Sequence, residues 1–502
     1  MEKITKLIQT LTGREIRLFH KYAALSGKKK NNLKIRLFNI SCENPEISDI
    51  EAAKLLGMDQ GAAFSMLKSR LYNDLLDLLL LVTDSSSFYN KAFWIRYSML
   101  KSLMLVYALD NRNLANHSNY LISKAEQLAL KFDQPTYRVL VNELILNSRP
   151  FMKGPATVKK VKETMLLSLD SQADIIKIQN IFKQISSISS YNSNQANTQL
   201  AFIELKLQEI EDIYARNPSP RITFFYLRSK LLYALNIQDF NGFLSYAQKL
   251  LEHVQSEVSI RSNDNLGGAY TMLSNALMYL KYFNESIEAC YNAEKLFFKH
   301  SNNDINTKSV RFIAHLYVKD YQSCVELVAQ VRSIKRIKRG SFHYSKWLYL
   351  DANIKFIQGN YKATLQLLER HSFLKSDRSG WRLGYKILEM MCIVELGNYD
   401  WLPYRIDTFR KLVNDIKKEN TARPKLMLKL LKRLIKENFD FDTTTAKMQQ
   451  ELSLLQSNTG EYFCDILGYE VIRFDEWWVS KLKAPSETTS PAKRRRKKAL
   501  KD

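Results

Sequence analysis

The stretch YSKWLYLDANIKFIQGNYKATLQLL, residues 344–368, decides the fold. Trp347, Leu350, Ile354 and Ile357 fall at offsets 0, 3, 7 and 10, the spacing of one face of an α-helix. Gly359-Asn360 turns the chain. Tyr361, Leu365 and Leu368 then fall at 0, 4 and 7, a second helical stripe. Two amphipathic helices joined by a tight turn make a hairpin, and a hairpin alone leaves apolar surface uncovered until another packs on it.

The same punctuation recurs on either side. A polar turn followed by an aromatic residue stands at Asp239-Phe240, Tyr282-Phe283, Asp320-Tyr321, Asn360-Tyr361 and Asn398-Tyr399. Successive aromatic positions differ by 43, 38, 40 and 38, a near-constant period that marks stacked helical hairpins. Gly and Pro number 15 and 10 in 502 residues, too few to punctuate many short strands. The expectation is an all-α chain, an α-solenoid of degenerate helical hairpins behind a small N-terminal helical segment. Its expected divisions are a helical segment at 1–85, irregular helical repeats at 86–217, regular repeats at 218–437, capping helices at 438–483 and a disordered basic tail at 484–502.

Local signals fill in that outline. Ser48 and Glu51 have capping-box spacing at the start of a helix ending near Leu56-Gly57. Leu67, Leu71, Leu75 and Leu78 form one stripe of the next helix. Breaks are expected at Gly27 and at residues 84–87, with another bounded by Pro150 and Gly154-Pro155. The polar stretch from Ser187 reads as a loop or a poor helix. Trp477-Trp478 reads as a cap docking on the last repeat.

The hairpins resemble tetratricopeptide repeats, best over residues 267–293. Tyr270, Leu273, Ser274 and Leu277 match the first-helix pattern, and Phe283, Ser286, Cys290 and Ala293 the second. Spacings here exceed that family's 34 residues, and several units lack its small residues. Residues 11–19, 67–76 and 121–129 also resemble segments of a broader group of bacterial repeat proteins common in Bacteroidetes; that likeness carries no activity with it. What the tetratricopeptide resemblance implies is a concave groove lined by first helices that receives a protein or peptide partner. It places Asn275, Tyr279, Lys346, Tyr349 and Asn353 in the groove.

The formal charge of +24 favours acidic proteins, nucleic acid or anionic surfaces as partners. The run Lys493, Arg494, Arg495, Arg496, Lys497 and Lys498 ends a Pro/Ser/Thr-rich stretch and reads as an arm suited to phosphate contacts. Residues 50–72 resemble a helix-turn-helix that would turn Gln60, Ser65, Lys68 and Ser69 to a major groove. Lys425, Lys429, Lys432 and Lys436 lie on one helical face, opposite Leu426, Leu430, Leu431 and Leu434. Residues 332–339 hold a further basic cluster.

Five scattered cysteines argue against a disulfide framework or zinc site and for a reducing compartment. The seven histidines are dispersed, and neither a phosphate-cradling glycine loop nor a Gly-x-Ser-x-Gly elbow occurs. The longest greasy run, Leu78 to Val82, is too short to span a bilayer. The expectation is a cytoplasmic, non-enzymatic interaction scaffold without cofactor, with a nucleic-acid-associated regulator as the alternative.

Overall fold

A computed structural model of the chain describes residues 1–25, 32–81, 91–148, 154–191, 197–369, 380–415 and 421–482. The expected breaks at Gly27 and at 84–87, the Pro150 bound of the third, and the basic tail lie outside these residues. The described residues are all-helical, with no strand among them. The chain divides into two compact units, Met1–Trp94 and Ile95–Asp502.

The first unit contains α1 (Glu2–Gln9), α2 (Gly13–Leu25), α3 (Leu33–Glu43), α4 (Asp49–Leu56) and α5 (Ala62–Leu81). Ser48 and Glu51 close a reciprocal capping box at the start of α4, and Gly57 ends it at φ 69°. Leu67, Leu71, Leu75 and Leu78 are buried, and α5 packs on α2 and α3 around Phe19 and Phe38, whose rings stack 4.2 Å apart.

The rest follows α6 (Lys91–Asp110), which begins just before the boundary. In order come α7 (Ala115–Lys131), α8 (Pro135–Ser148), α9 (Pro155–Tyr191), α10 (Asn197–Arg216), α11 (Pro220–Asn236), α12 (Phe240–Ser256) and α13 (Asn263–Tyr279). Then come α14 (Phe283–Leu296), α15 (Asn302–Tyr317), α16 (Tyr321–Arg332), α17 (Phe342–Ile357), α18 (Tyr361–Glu369) and α19 (Trp381–Glu395). Last are α20 (Leu402–Asp415), α21 (Ala422–Lys436), α22 (Phe441–Lys447), α23 (Gln449–Ser457) and α24 (Phe474–Val479). Pro155 opens α9, where its missing N–H costs nothing. The serine-rich stretch read as a loop or poor helix is helical as far as Tyr191, because Ile178, Ile181 and Ile185 bury one face of α9 beside α10 and α11.

From α11 to α21 each helix packs on its neighbours in the chain, and α13 also meets α15, as α17 meets α19. The recurring turn has one geometry. Gln238, Lys281, Lys319, Gly359 and Gly397 each take φ between 60° and 74°, directly before the five polar positions read from sequence. At each turn the polar residue's N–H reaches back five residues, as from Asp239 to Ala234, Asn360 to Lys355 and Asn398 to Ile393, at 2.8–3.1 Å. This is a Schellman close: it satisfies the carbonyls a helix end leaves free, and it needs a left-handed residue. Asp239, Asp320 and Asn360 then accept from an amide three residues on, capping the second helix. The aromatic residue that follows binds one hairpin to the next. Phe240 stacks on Tyr279 at 4.7 Å, and Phe283 on Tyr317 at 4.8 Å.

No helix among the described residues is long and apolar enough to cross a membrane.

Candidate functional site

The first helices of successive hairpins, α11, α13, α15, α17 and α19, turn side chains to one common face. On that face lies a cavity of about 540 Å³. Arg228, Thr271, Asn275, Ser309, Lys346 and Trp381 are among its walls, and Leu467 closes part of it. Asp264 stands exposed on its lining.

Leu467 belongs to an irregular stretch that returns from the C-terminal side of the array. Residues 462–470 form an inner loop clasped at its base by one guanidinium. Arg423, 3% exposed, donates to both carboxylate oxygens of Glu470 at 2.7 Å and to the Tyr462 carbonyl at 3.1 Å. The same group donates to Asp475 at 2.6 Å and to the Leu455 carbonyl at 2.9 Å. The loop's far end reaches 186 residues back in sequence: Tyr279 donates its hydroxyl proton to Asp465 at 2.8 Å. Tyr349 donates to the Tyr469 carbonyl at 2.7 Å. Gly384 of α19 makes this approach sterically feasible. A Cβ there would lie 2.3 Å from the Tyr469 carbonyl oxygen and 2.7 Å from the Tyr349 hydroxyl.

The electrostatics follow from burial. Burial pushes the Tyr279 phenol well above its usual range, and the Asp465 charge adds to it. Burial also raises Asp465, against hydrogen bonds from the Leu467 amide and the Tyr279 hydroxyl and the attraction of Lys346. Lys346 donates to the Ser309 hydroxyl at 3.0 Å and lies 4.7 Å from the Trp381 ring centre. Burial pushes its ammonium down to about 8, with Asp465 opposing the shift.

Three of the five expected groove residues have internal duties. Tyr279 and Tyr349 hold the inner loop. Asn353 is fully buried and donates to the Tyr349 carbonyl one turn earlier, so it does not face a groove. Asn275 and Lys346 line the cavity, and the Asn275 carbonyl oxygen is buried without a hydrogen-bond partner among the described residues. Lys68 of α5 is paired with Asp49, which also takes the amino group of Met1. Gln60, Ser65 and Ser69 are exposed. Lys493, Arg494, Arg495, Arg496, Lys497 and Lys498 lie outside the described residues. Arg423, in the first turn of α21, is buried; Lys425, Lys429, Lys432 and Lys436 of that helix are exposed along one side.

Sequence reading missed the inner loop. It has no helical period, and its partners are dozens to nearly two hundred residues away. Its one signal is density of aromatic and acidic residues in a glycine-bearing, non-periodic stretch, from Glu461 to Glu470. Among the described residues no group of three or more His, Cys, Asp or Glu side chains is placed to hold a metal ion. All five cysteines are unpaired, and four of them are buried.

The sequence matches no protein-family model. A search of curated proteins also returned no match.

Proposed function

We infer that the second unit is an α-solenoid of tetratricopeptide-like hairpins and that the chain is a non-enzymatic scaffold, working in a reducing compartment such as the cytoplasm. It takes a protein or peptide partner, acidic in character, on the face of its first helices. One observation carries this reading. That face already holds irregular polypeptide, the inner loop, by donating tyrosine hydroxyls to a backbone carbonyl and to a carboxylate. A surface that recognises main chain and carboxylate in its own loop has the chemistry to recognise them in a partner. The cavity beside the loop, with Asn275 and Lys346 on its walls, is the part left open.

The test is an array of acidic and basic peptides read against the full chain. Acidic peptides should bind with Kd below about 1 mM. Binding should weaken in a variant carrying Asn275→Leu and Lys346→Met that melts within about 3 °C of the parent. Failure of every acidic peptide, or retention undiminished in the variant, refutes the reading.

A second reading has its own observation, the exposed lysine side of α21. Such a face, together with the basic tail, would engage nucleic-acid phosphates. Duplex affinity should then fall at least tenfold between about 50 and 200 mM salt. Replacing Lys425 and Lys429 by Gln should flatten that dependence, and an unchanged slope excludes the α21 face.

A further inference from the structure

Buried cations in the second unit generally face carboxylates. Lys308, Arg311 and Arg423 each lie within ion-pair distance of one. Two half-buried cations on the walls of the first-helix cavity do not. Arg228 lies over the rings of Phe182 and Phe224, its guanidinium carbon 4.4 and 5.2 Å from their centres. Among the described residues it has neither an ion-pair nor a hydrogen-bond partner. Lys346 has one neutral hydrogen bond and the face of Trp381, with Asp465 beyond ion-pair distance. Ring faces offset only part of what a desolvated cation loses. The Asn275 side-chain oxygen, a buried acceptor that no donor satisfies among the described residues, calls for a hydrogen-bond donor on the ligand and does not itself attract the anion. Met272, Leu350 and Trp381 supply apolar wall. The volume, about 540 Å³, falls in the range of small-ligand sites.

We propose that this cavity is a binding site for a small organic anion, its apolar body against Met272, Leu350 and Trp381 and its carboxylate drawn to Lys346. The exposed Asp264 on the lining disfavours ligands with spread negative charge and favours a single buried head. The carboxylate comes either from a free acid or from an acidic side chain of a peptide. The site goes beyond the scaffold reading and stands without it, because a small acid can bind where no peptide does.

Isothermal titration of the full chain tests it with three probes: 4-phenylbutyrate, its uncharged amide, and a blocked Phe-Glu dipeptide. At least one acid should bind with Kd below about 1 mM, and the amide at least tenfold more weakly. Lys346→Met should cost about tenfold or more in affinity, as expected when a charge-assisted contact is lost. A variant that fails to fold leaves the parent's own proton balance as a readout. Burial holds the Lys346 ammonium down at about 8 in the free chain. A bound carboxylate favours its charged form, so binding between about pH 8 and 10 should take up protons, seen as a dependence of the heat on buffer ionisation. Binding of phenylbutyrate alone assigns the site to a free acid; binding of the dipeptide alone assigns it to a partner's side chain. Equal binding of the amide, or no binding by either acid, overturns the proposal.

Discussion

Replacing Arg423 by Met should detach the C-terminal side of the array without unfolding the rest. The guanidinium makes three contacts to carboxylates at 2.6–2.7 Å and two to carbonyls at 2.9 and 3.1 Å. Methionine fills similar volume and makes none of them. Asp475, 2% exposed, keeps Arg473 at 2.5 Å. Glu470, 5% exposed, keeps only the Phe474 amide at 2.7 Å among the described residues. The variant thus leaves one buried carboxylate without a counter-charge, a loss of about 3–5 kcal/mol. Local opening of that size accelerates amide exchange about a hundredfold to a few thousandfold over residues 458–479, while α13 and α14 keep their protection. Trp477 and Trp478, both buried, should report the same event by a red-shifted emission. Replacing Glu470 by Met as well should recover much of the loss, because the stranded charge is gone. Acceleration below about tenfold in the single variant would refute this account of how the inner loop is held.

Three further outcomes are expected. Gly384→Ala forces its methyl onto the Tyr469 carbonyl at 2.3 Å, and should cost about 1–3 kcal/mol in urea unfolding, with faster exchange near Tyr469; a cost under about 0.5 kcal/mol would show the loop able to yield. Lys319→Gly, at φ 62°, should stabilise by up to about 1 kcal/mol, while Gly359→Ala, at φ 74°, should destabilise by about 1 kcal/mol, both read from urea midpoints; matching signs would contradict the shared turn geometry. Below pH 8 the folded chain carries the Lys346 ammonium that burial disfavours; above it the folded chain loses that proton before the unfolded one, whose lysine titrates near 10.5. The parent should therefore gain stability relative to Lys346→Met between pH 8 and 10, and a gap constant with pH would place Lys346 in water.

The hairpins were legible where a turn carried two signals at once, a polar cap and an aromatic residue. The same close occurs at Asn113 and Asp133, with φ 60° and 46° and the same five-residue return bonds from Leu114 and Gln134. There the next residues are Leu114-Ala115 and Gln134-Pro135, so periodicity gave no mark and that region read as irregular. The tetratricopeptide resemblance, carried by helical offsets, put Lys346 and Asn275 among first-helix lining residues, and both line the cavity. The same offsets could not tell that Asn353 points into its own helix or that Arg423 meets Glu470, 47 residues on. Those facts depend on contacts between elements far apart in sequence, and no local pattern encodes them.

Chains of hairpins held only by adjacent contacts lose structure from their ends, one unit at a time. The inner loop changes that expectation. Through Tyr279, Tyr349 and Arg423 it is bonded to α13, α17 and α21, and it packs against α19 at Gly384, so none of the three bonded helices can leave without breaking a bond to their common partner. A run of hairpins becomes a laced one: pulled from its ends, it should resist as a single block and then give way at once, rather than paying out hairpin by hairpin.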